Sequence, residues 1–448
     1  MKTVLSSRHH GRTLRLAAAG TLVLAVATGA PAAAGAVTAG GTPPRPWKPA
    51  YVKRVPPPRA WQPGYVHRDP NLRMAAMLTE RATTARFGTK FSGAVVDAAS
   101  GRVVWRKNGS TGLMPASTTK LVTATDALAV FGGSYRFTTM VKGGPYPDQV
   151  ILVGSGDPAL SSAQLSSLAT TTAKAMKARG QLKVRVYADD TLFPAPTLAT
   201  GWRSDYIPAD TTWLRALVVD GRQATDTSLD AANTFAAKLK AQGLTIAQVR
   251  HGRATTSNPV LARSAGQTVS QIVSTMMLQS DNEHAEALHR LVAIHTGYGN
   301  TWAAARSAQA KQLANQGLGA NALYDGSGLS RSDRLTSLQL ARIVTNAFEP
   351  GNATALGLLR SDSGMPISGR TGTLSASYGR FTTAASKCAV GKVHAKTGTL
   401  SDAVALSGWT VGADGQVKAF AFIVNGSKST LALRQSVDML AATVTGCY

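Results

Sequence analysis

Residues 114–122 read MPASTTKLV, and the S-x-x-K motif at their centre places Ser117 three residues before Lys120. The stretch predicts the start of a helix over 115–131, which Gly132-Gly133 would stop. Side chains three residues apart on a helix face the same way, so the hydroxyl and the amine are expected to meet. A serine hydroxyl becomes an effective nucleophile when a neighbouring base takes its proton. A lysine can be that base if its pKa is lowered, and the apolar flanks of the motif favour burial.

Two further motifs follow along the chain, Ser280-Asp281-Asn282 and Lys396-Thr397-Gly398-Thr399. The first falls in a polar break between helices predicted over 268–278 and 283–294. The second runs along a strand predicted over 392–397. S-x-x-K and S-x-N each occur often by chance. The functional interpretation therefore depends on the order of the three motifs and on their structural contexts. Ser-Asp-Asn is also a helix-cap composition, and a cap would present the same side chains.

A segment between the second and third motifs resembles the third motif in sequence. Residues 369–374 read GRTGTL, with Arg370 at the position of the motif's lysine. The preceding residues 365–368 lack a strand pattern. The segment is therefore predicted to be a structural turn.

The chain of 448 residues carries 48 lysines and arginines against 23 acidic residues, a formal charge of +25. Hydrophobic residues make up 44%, enough for a buried core, which excludes wholesale disorder. The charge suits either nucleic-acid binding or work against an anionic polymer such as a cell wall. Glutamate is scarce, and the four are Glu80, Glu283, Glu286 and Glu349.

Residues 1–36 have the pattern of an export signal, a basic start followed by an apolar stretch and small-residue cleavage sites. An uncleaved anchor is the alternative, and it would be the chain's membrane contact. Residues 37–69 form a Pro-rich basic linker that is expected to be extended. Part of it is repeated, either as a spacer or as a segment that touches the wall polymer. The protein is therefore expected to be exported, and either secreted or associated with the cell wall.

The rest of the chain divides into three parts. Residues 70–140 hold a predicted hairpin and the helix of the first motif. Alternating strands and helices over 141–265 indicate an inserted α/β domain. Residues 266–448 hold the other two motifs, a three-stranded meander and a closing helix. The hairpin and the meander are expected to complete one antiparallel sheet.

The three motifs in this order resemble those of penicillin-binding proteins and serine β-lactamases. Three longer segments are similar to those of the class C type 4 penicillin-binding proteins, serine peptidase family S13: VGSGDP at 153–158, DGSGLSR at 325–331 and GKVHAKTGTL at 391–400. The resemblance runs from about residue 70 to the end. It implies a mixed α/β (α+β) fold of the serine β-lactamase/transpeptidase type, with an antiparallel sheet flanked by helices and the inserted domain between the first two motifs.

The resemblance also implies a function. The protein would be a serine D-alanyl-D-alanine carboxypeptidase, often a DD-endopeptidase as well, that acts on peptidoglycan stem peptides ending in D-Ala-D-Ala and is inhibited covalently by β-lactams. Ser117 would be the nucleophile, Lys120 its base and Ser280 a proton relay. The substrate-binding residues would be Asn282, Lys396, Thr397, Gly398 and Thr399. The backbone N–H groups of Ser117 and Thr399 would form the oxyanion hole. No metal or organic cofactor is implied.

Three alternatives compete with this interpretation. A class A β-lactamase needs a glutamate that drives deacylation through a water, and none of the four glutamates has the expected E-x-x-L-N context. A non-catalytic wall-binding protein would use the basic linker and would not need intact motifs. Nucleic-acid binding is disfavoured by the export signal and by the lack of a recognised nucleic-acid motif.

Cys388 and Cys447 are the only cysteines. A compartment outside the cytoplasm permits disulfides. We therefore predict that the two cysteines pair and hold the C-terminal tail near the loop before the third motif, with two free thiols as the alternative.

Overall fold

Two five-stranded sheets organise the part of the chain that the structure, a computed structural model, describes, residues 69–319 and 322–448. The predicted signal and all but the last residue of the predicted linker lie outside the described residues. The strands are β1 Lys90–Asp97, β2 Val103–Lys107, β3 Arg136–Gly143, β4 Gln149–Val153, β5 Lys183–Asp189, β6 Thr245–His251, β7 Val260–Thr268, β8 His394–Leu400, β9 Ala403–Val411 and β10 Val417–Asn425. The main helices are α1 Pro70–Arg81, α2 Lys120–Phe131, α3 Ser162–Lys177, α4 Thr227–Ala241, α5 Val269–Gln279, α6 Asn282–His295, α7 Trp302–Asn315, α8 Ser337–Asn346 and α9 Leu431–Val444.

The first sheet is antiparallel and has the strand order β2-β1-β10-β9-β8. Strand β1 pairs with β10 so that Lys90 lies opposite Asn425 and Asp97 lies opposite Lys418. The prediction that the hairpin and the meander complete one sheet is confirmed. Strand β8 begins at His394 and continues to Leu400, later than predicted at both ends, so the whole third motif is strand. It forms one edge of the sheet.

Helices cover both faces of this sheet, and β10 shows how the sequence specifies that cover. Successive side chains of a strand point to opposite faces. Phe420 and Phe422 belong to the buried cluster formed with α1 and α9. Ala419, Ala421 and Ile423 belong to the cluster formed with α2, α5 and α6. The predicted fold class, an antiparallel sheet flanked by helices, is confirmed.

The second sheet lies between the first two motifs in the sequence and has the order β6-β5-β4-β3-β7. Strands β4, β5 and β6 are parallel, and β3 is antiparallel to both β4 and β7. Helices α3 and α4 pack against it through a separate buried cluster. The sheet reaches slightly beyond both predicted borders of the insert, 141 and 265. The division of the chain into domains stays a prediction.

Among the described residues, none of the helices has both the length and the apolar character that a membrane crossing needs.

Candidate active site

The backbone before Ser117 is tightly confined. Ser117 lies in a 3-10 turn, Ala116–Thr119, that leads directly into α2. Ala116 has a φ of 47°, a left-handed conformation that is strained for a residue with a Cβ atom. Two glycines allow close approach on either side. A Cβ atom on Gly328 would lie 2.0 Å from the Ala116 carbonyl oxygen, and one on Gly398 would lie 2.6 Å from that of Pro115. The third-motif strand and the loop at 325–331 therefore both hold the Ser117 backbone.

Lys120 is completely buried and its amine has three partners. Its Nζ atom lies 3.2 Å from Ser117 Oγ, 2.7 Å from Asn282 Oδ1 and 2.8 Å from the Ser327 carbonyl oxygen. The predicted meeting of the serine hydroxyl and the lysine amine is present in the structure. Burial lowers the pKa of Lys120 to about 8, since desolvation penalises the charged amine. Much of Lys120 can therefore be neutral near pH 8 and able to accept a proton.

Carboxylates behind Lys120 partly oppose this shift. The negative charges of Glu286 and Asp325 have the two largest effects of this kind, and each raises the pKa of Lys120. Glu286 accepts hydrogen bonds from the backbone N–H groups of Gly326 and Ser327, at 3.0 and 2.8 Å. Asp325 accepts from Gly328 N and Ser330 N. These bonds shape the loop at 325–331, which in turn presents the Ser327 carbonyl to Lys120.

The second motif occupies the break between two helices, as its composition indicates. Ser280 follows α5 in a left-handed conformation, with a φ of 62°. Asp281 caps α6 by accepting a hydrogen bond from His284 N at 2.8 Å. Asn282, the first residue of α6, has its Oδ1 atom on Lys120 and donates from Nδ2 to the Asp210 carbonyl oxygen at 2.7 Å. The cap thus presents Ser280 and Asn282 toward the first motif.

The third motif connects to the second through Lys396. This lysine is fully buried, and its Nζ atom donates to Ser280 Oγ and to the Thr397 carbonyl oxygen, both at 2.8 Å. Burial, and then the positive charges of Lys120 and Arg380, hold the pKa of Lys396 well below its usual range. Gly398 lies against the Pro115 carbonyl, whereas Thr399 is exposed on the edge strand. All three predicted motifs therefore meet at one place.

Sequence reasoning missed several contacts at this place. Thr373, in the segment that imitates the third motif, lies with its Oγ1 atom 2.7 Å from Thr397 Oγ1. Glu286 supports the loop beneath Lys120, and the Asp210 carbonyl accepts from Asn282. These contacts join residues between 24 and 72 positions apart in the sequence. The one available sequence signal is the likeness of GRTGTL to the third motif, a segment for which the sequence predicts only a structural turn.

The two glutamates that follow the second motif, Glu283 and Glu286, accept hydrogen bonds from backbone N–H groups. Glu286 is buried and binds the amides of the 325–331 loop. Glu283 accepts from Thr212 N at 3.0 Å. Burial raises the pKa of both carboxyl groups, to about 8 in Glu286. Both glutamates therefore help to hold neighbouring loops, at 212 and 325–331, through backbone N–H groups.

Cys388 and Cys447 lie together. Their sulfur atoms are joined and their Cα atoms are 6.2 Å apart. Cys388 sits in a 3-10 turn, Lys387–Ala389, that precedes β8, and Cys447 follows α9 near the chain end. The pair therefore links the C-terminal tail to the loop before the third motif.

In the described ranges, one group of side chains has metal-ligand character: Asp190, Asp226 and His251, at one end of the second sheet. Arg215 bridges the two carboxylates, at 2.7 Å from Asp190 and 3.2 Å from Asp226. His251 lies 2.8 Å from Asp226 as well. The guanidinium already supplies the positive charge, so the group is an ion-pair network.

Comparison with known proteins gives a consistent result. The model of the D-Ala-D-Ala carboxypeptidase 3 (S13) family matches residues 74–225 and 220–445. A protein named carboxypeptidase DacB from Mycolicibacterium smegmatis is 30% identical over 381 residues, which cover 80% of this chain and 80% of that protein. A D-alanyl-D-alanine carboxypeptidase from an Actinomadura species is 27% identical over 451 residues, covering 79% of this chain and 81% of that protein.

A solved structure shares the fold. Penicillin binding protein 4 (dacB) from Haemophilus influenzae superposes with a TM-score of 0.69 at 19% identity, covering 81% of this chain and 98% of that chain. The same protein in complex with a β-lactam superposes with a TM-score of 0.64 at 19% identity, covering 83% and 99%.

Proposed function

The chain belongs to the D-Ala-D-Ala carboxypeptidase 3 (S13) family of serine-type peptidases, and from this premise we propose that it removes the terminal D-alanine from peptidoglycan stem peptides that end in D-Ala-D-Ala. One observation carries the proposal. Ser117, Lys120 and Asn282 share a hydrogen-bonded centre, and Lys396 donates to Ser280, two residues before Asn282 in the second motif. Such a centre can activate a hydroxyl and return its proton to a leaving group.

Acylation follows from these positions. The Ser117 Oγ atom attacks the carbonyl carbon of the penultimate D-alanine while neutral Lys120 takes the hydroxyl proton. The proton then passes through Ser280 to the amine nitrogen of the terminal D-alanine. The C–N bond breaks, free D-alanine leaves, and an ester joins Ser117 to the shortened peptide. Water hydrolyses this ester and restores the Ser117 hydroxyl.

Substrate binding uses the open edge of the first sheet. Strand β8 can pair with an extended peptide through its backbone. Lys396, Thr397 and Thr399 bind the terminal carboxylate, and a bound carboxylate favours the charged form of Lys396. Gly398 leaves room for the backbone before Ser117. The backbone N–H groups of Ser117 and Thr399 bind the oxyanion.

Asn282 binds the amide of the substrate with its remaining donor. A side-chain amide has two N–H donors and one carbonyl acceptor. In Asn282 the carbonyl is held by Lys120 and one donor is held by the Asp210 carbonyl. The second donor is the one available to the substrate.

The proposal is tested by intact mass spectrometry after incubation with benzylpenicillin. A β-lactam mimics the substrate and forms the same ester, which persists because its deacylation is slow. Wild-type protein should gain the mass of one penicillin, and Ser117→Ala should gain none. Ser110→Ala, in an exposed turn before β-bridge residue Leu113, is the matched control and should be acylated like the wild type. An unmodified wild type would contradict the proposal.

Liquid chromatography of the products from purified muropeptides separates two activities. Released D-alanine indicates the carboxypeptidase, and cleaved cross-links indicate a DD-endopeptidase. Turnover of a chromogenic cephalosporin at many cycles per second would favour the β-lactamase alternative instead. Wall binding that depends on residues 37–69 and is unaffected by Ser117→Ala would favour the non-catalytic alternative.

The proposed place of action is outside the cytoplasm, against the cell wall. The export pattern of residues 1–36 supports it, and so does the positive charge that remains from Asp69 onward. A cationic protein is attracted to an anionic wall polymer.

A further inference from the structure

The segment that resembles the third motif, residues 369–374, lies between the second and third motifs and contacts residues next to both. Residues 369–374 form a turn closed by Gly369 N donating to the Leu374 carbonyl at 2.8 Å. A Cβ atom on Gly372 would lie 2.6 Å from the carbonyl oxygen of Leu278, two residues before Ser280. The turn therefore touches the end of α5 on one side and approaches β8 on the other.

One side chain of this turn reaches the proposed binding strand. Thr373 is half-buried, and its Oγ1 atom lies 2.7 Å from that of Thr397, which is buried. The distance is that of a good hydroxyl–hydroxyl hydrogen bond. Thr371, the other threonine of the turn, acts locally instead, because its Oγ1 atom accepts from Ile367 N at 3.0 Å.

We propose that Thr373 is a positioning residue for recognition of the substrate's terminal carboxylate, acting through the hydroxyl of Thr397. Thr373 donates its proton to Thr397 Oγ1, and the Thr397 proton then points to the carboxylate. This inference rests on the proposed function, in which Thr397 binds that carboxylate.

The direction of the bond follows from the chemistry of the groups. A hydroxyl has one proton and two acceptor lone pairs, whereas an ionised carboxylate only accepts. If Thr397 donated to Thr373, it would present lone pairs to the carboxylate, and the two would repel. The opposite direction lets both hydroxyls donate in sequence, and each bond in such a chain polarises the next. Thr373 thus fixes the one rotamer of the Thr397 proton that suits an anionic ligand.

The test compares benzylpenicillin with its methyl ester, which lacks the carboxylate charge. Acylation of each is followed by intact mass spectrometry over a range of concentrations, in wild type and three variants. Thr373→Val removes the hydroxyl and keeps the shape, Thr373→Ser restores the hydroxyl, and Thr371→Val is the matched control in the same turn. Thermal melting checks that each variant is folded.

With Thr373→Val, half-saturation by benzylpenicillin should need about tenfold more compound, the scale of a weakened hydrogen bond to a charged group. The limiting acylation rate and the reaction with the ester should stay close to the wild type. Thr373→Ser should restore benzylpenicillin binding, and Thr371→Val should leave both compounds unaffected. An equal loss for acid and ester, or no loss for either, overturns the inference. A wild type that neither compound acylates overturns the proposed function, and this inference with it.

Discussion

At the scale of single residues, the charge state of Lys120 decides whether the site can work. Its amine is fully buried among Ser117, Asn282 and the Ser327 carbonyl. An amine that must accept a proton has to be neutral beforehand. Burial favours that neutral form, and the nearby acids oppose it without restoring the usual lysine pKa.

A pH profile tests this state of Lys120. Burial lowers its pKa to about 8, so the neutral fraction grows as pH rises through that value. The first-order rate of acylation at saturating benzylpenicillin should therefore increase from pH 6, pass through half its maximum near pH 8 and level off above about pH 9. A rate that stays constant between pH 6 and pH 9 would contradict the assignment.

Substitution of Lys120 tests the same base directly. Lys120→Arg keeps a positive charge that arginine does not lose at these pH values. Acylation should fall by roughly 10²- to 10⁴-fold, the usual contribution of a general base. Lys107→Arg is the control, because Lys107 donates to the Ala82 carbonyl from β2, at the edge of the first sheet opposite β8. Comparable acylation rates in Lys120→Arg and Lys107→Arg would show that Lys120 is not the general base.

At the scale of elements, the approach of β8 to the turn that carries Ser117 depends on a missing side chain. A Cβ atom on Gly398 would lie 2.6 Å from the Pro115 carbonyl oxygen and 3.2 Å from Ala116 Cβ. In Gly398→Ala the strand must move away from Ser117, and acylation should slow by roughly 10- to 100-fold, since small displacements of reacting groups are costly. Gly351→Ala, where a Cβ atom meets nothing within 4 Å, should acylate normally. Equal acylation rates in the two variants would show that β8 can accommodate a Cβ atom at position 398 without moving away from Ser117.

A buried ion pair attaches α9 to the segment between the turn at 369–374 and the turn Lys387–Ala389. Arg380 and Asp438 are both buried, and Arg380 Nε donates to Asp438 Oδ2 at 2.9 Å. The Phe381 N–H also donates to Asp438 Oδ2, at 3.1 Å. Asp438→Ala would leave the guanidinium charge buried and unpaired. We expect it to lower the free energy of unfolding by about 3–5 kcal/mol.

Urea denaturation measures this loss. The exposed pair of Arg203 and Asp205 provides the comparison, because solvent screens such pairs. Asp205→Ala should leave the unfolding midpoint close to that of the wild type. If Asp438→Ala behaved in the same way, the buried pair would contribute nothing to the attachment of α9.

Most elements of the first sheet could be predicted from local patterns, whereas other elements were missed, among them one strand of the second sheet and one helix. Continuous apolar runs gave β9 and β10, and glycine stops gave the end of α2. Strand β3 was missed because polar Thr139 lies on its buried face and apolar Met140 on its half-buried face, so its sequence lacks the apolar–polar alternation that predicts a strand. Helix α1 was missed although Asp69 caps it and Pro70 occupies its first position, which is a recognised start signal.

The site shows the same division between local and long-range information. The motifs predict which side chains meet, because each occupies a short segment whose helix or strand can be inferred. The partners of those side chains are set by packing between distant segments. Glu286 beneath Lys120 and Thr373 beside Thr397 depend on how the loop at 325–331 and the turn at 369–374 fold back, and no local pattern specifies that.

At the scale of the whole molecule, the two ends of the described chain are held together beside the first sheet. Arg81, at the end of α1, donates to the Thr443 hydroxyl at 2.7 Å and to the Cys447 carbonyl at 3.0 Å. The Arg73 guanidinium lies 4.4 Å from the centre of the Tyr448 ring. The cysteine pair adds a covalent link from this region to the turn before β8.

The disulfide between Cys388 and Cys447 closes a loop with a sequence separation of 59 residues. A cross-link over such a loop restricts the unfolded chain and stabilises the fold by about 4 kcal/mol on loop-entropy grounds. The double variant Cys388→Ser/Cys447→Ser should therefore unfold at clearly lower urea concentration than the oxidised wild type. Reduced wild type should unfold at a urea concentration near that of the double variant, and reductant should not change the unfolding of the double variant itself. These two controls separate loss of the disulfide from an effect of the serine substitutions.

Thiol labelling of native and of urea-unfolded protein, without reductant, should detect no reactive thiols in the wild type. Two labelled thiols in the unfolded, unreduced protein would show that the cysteines do not pair, and the tail would then be held by Arg81 and the packing of α9 alone.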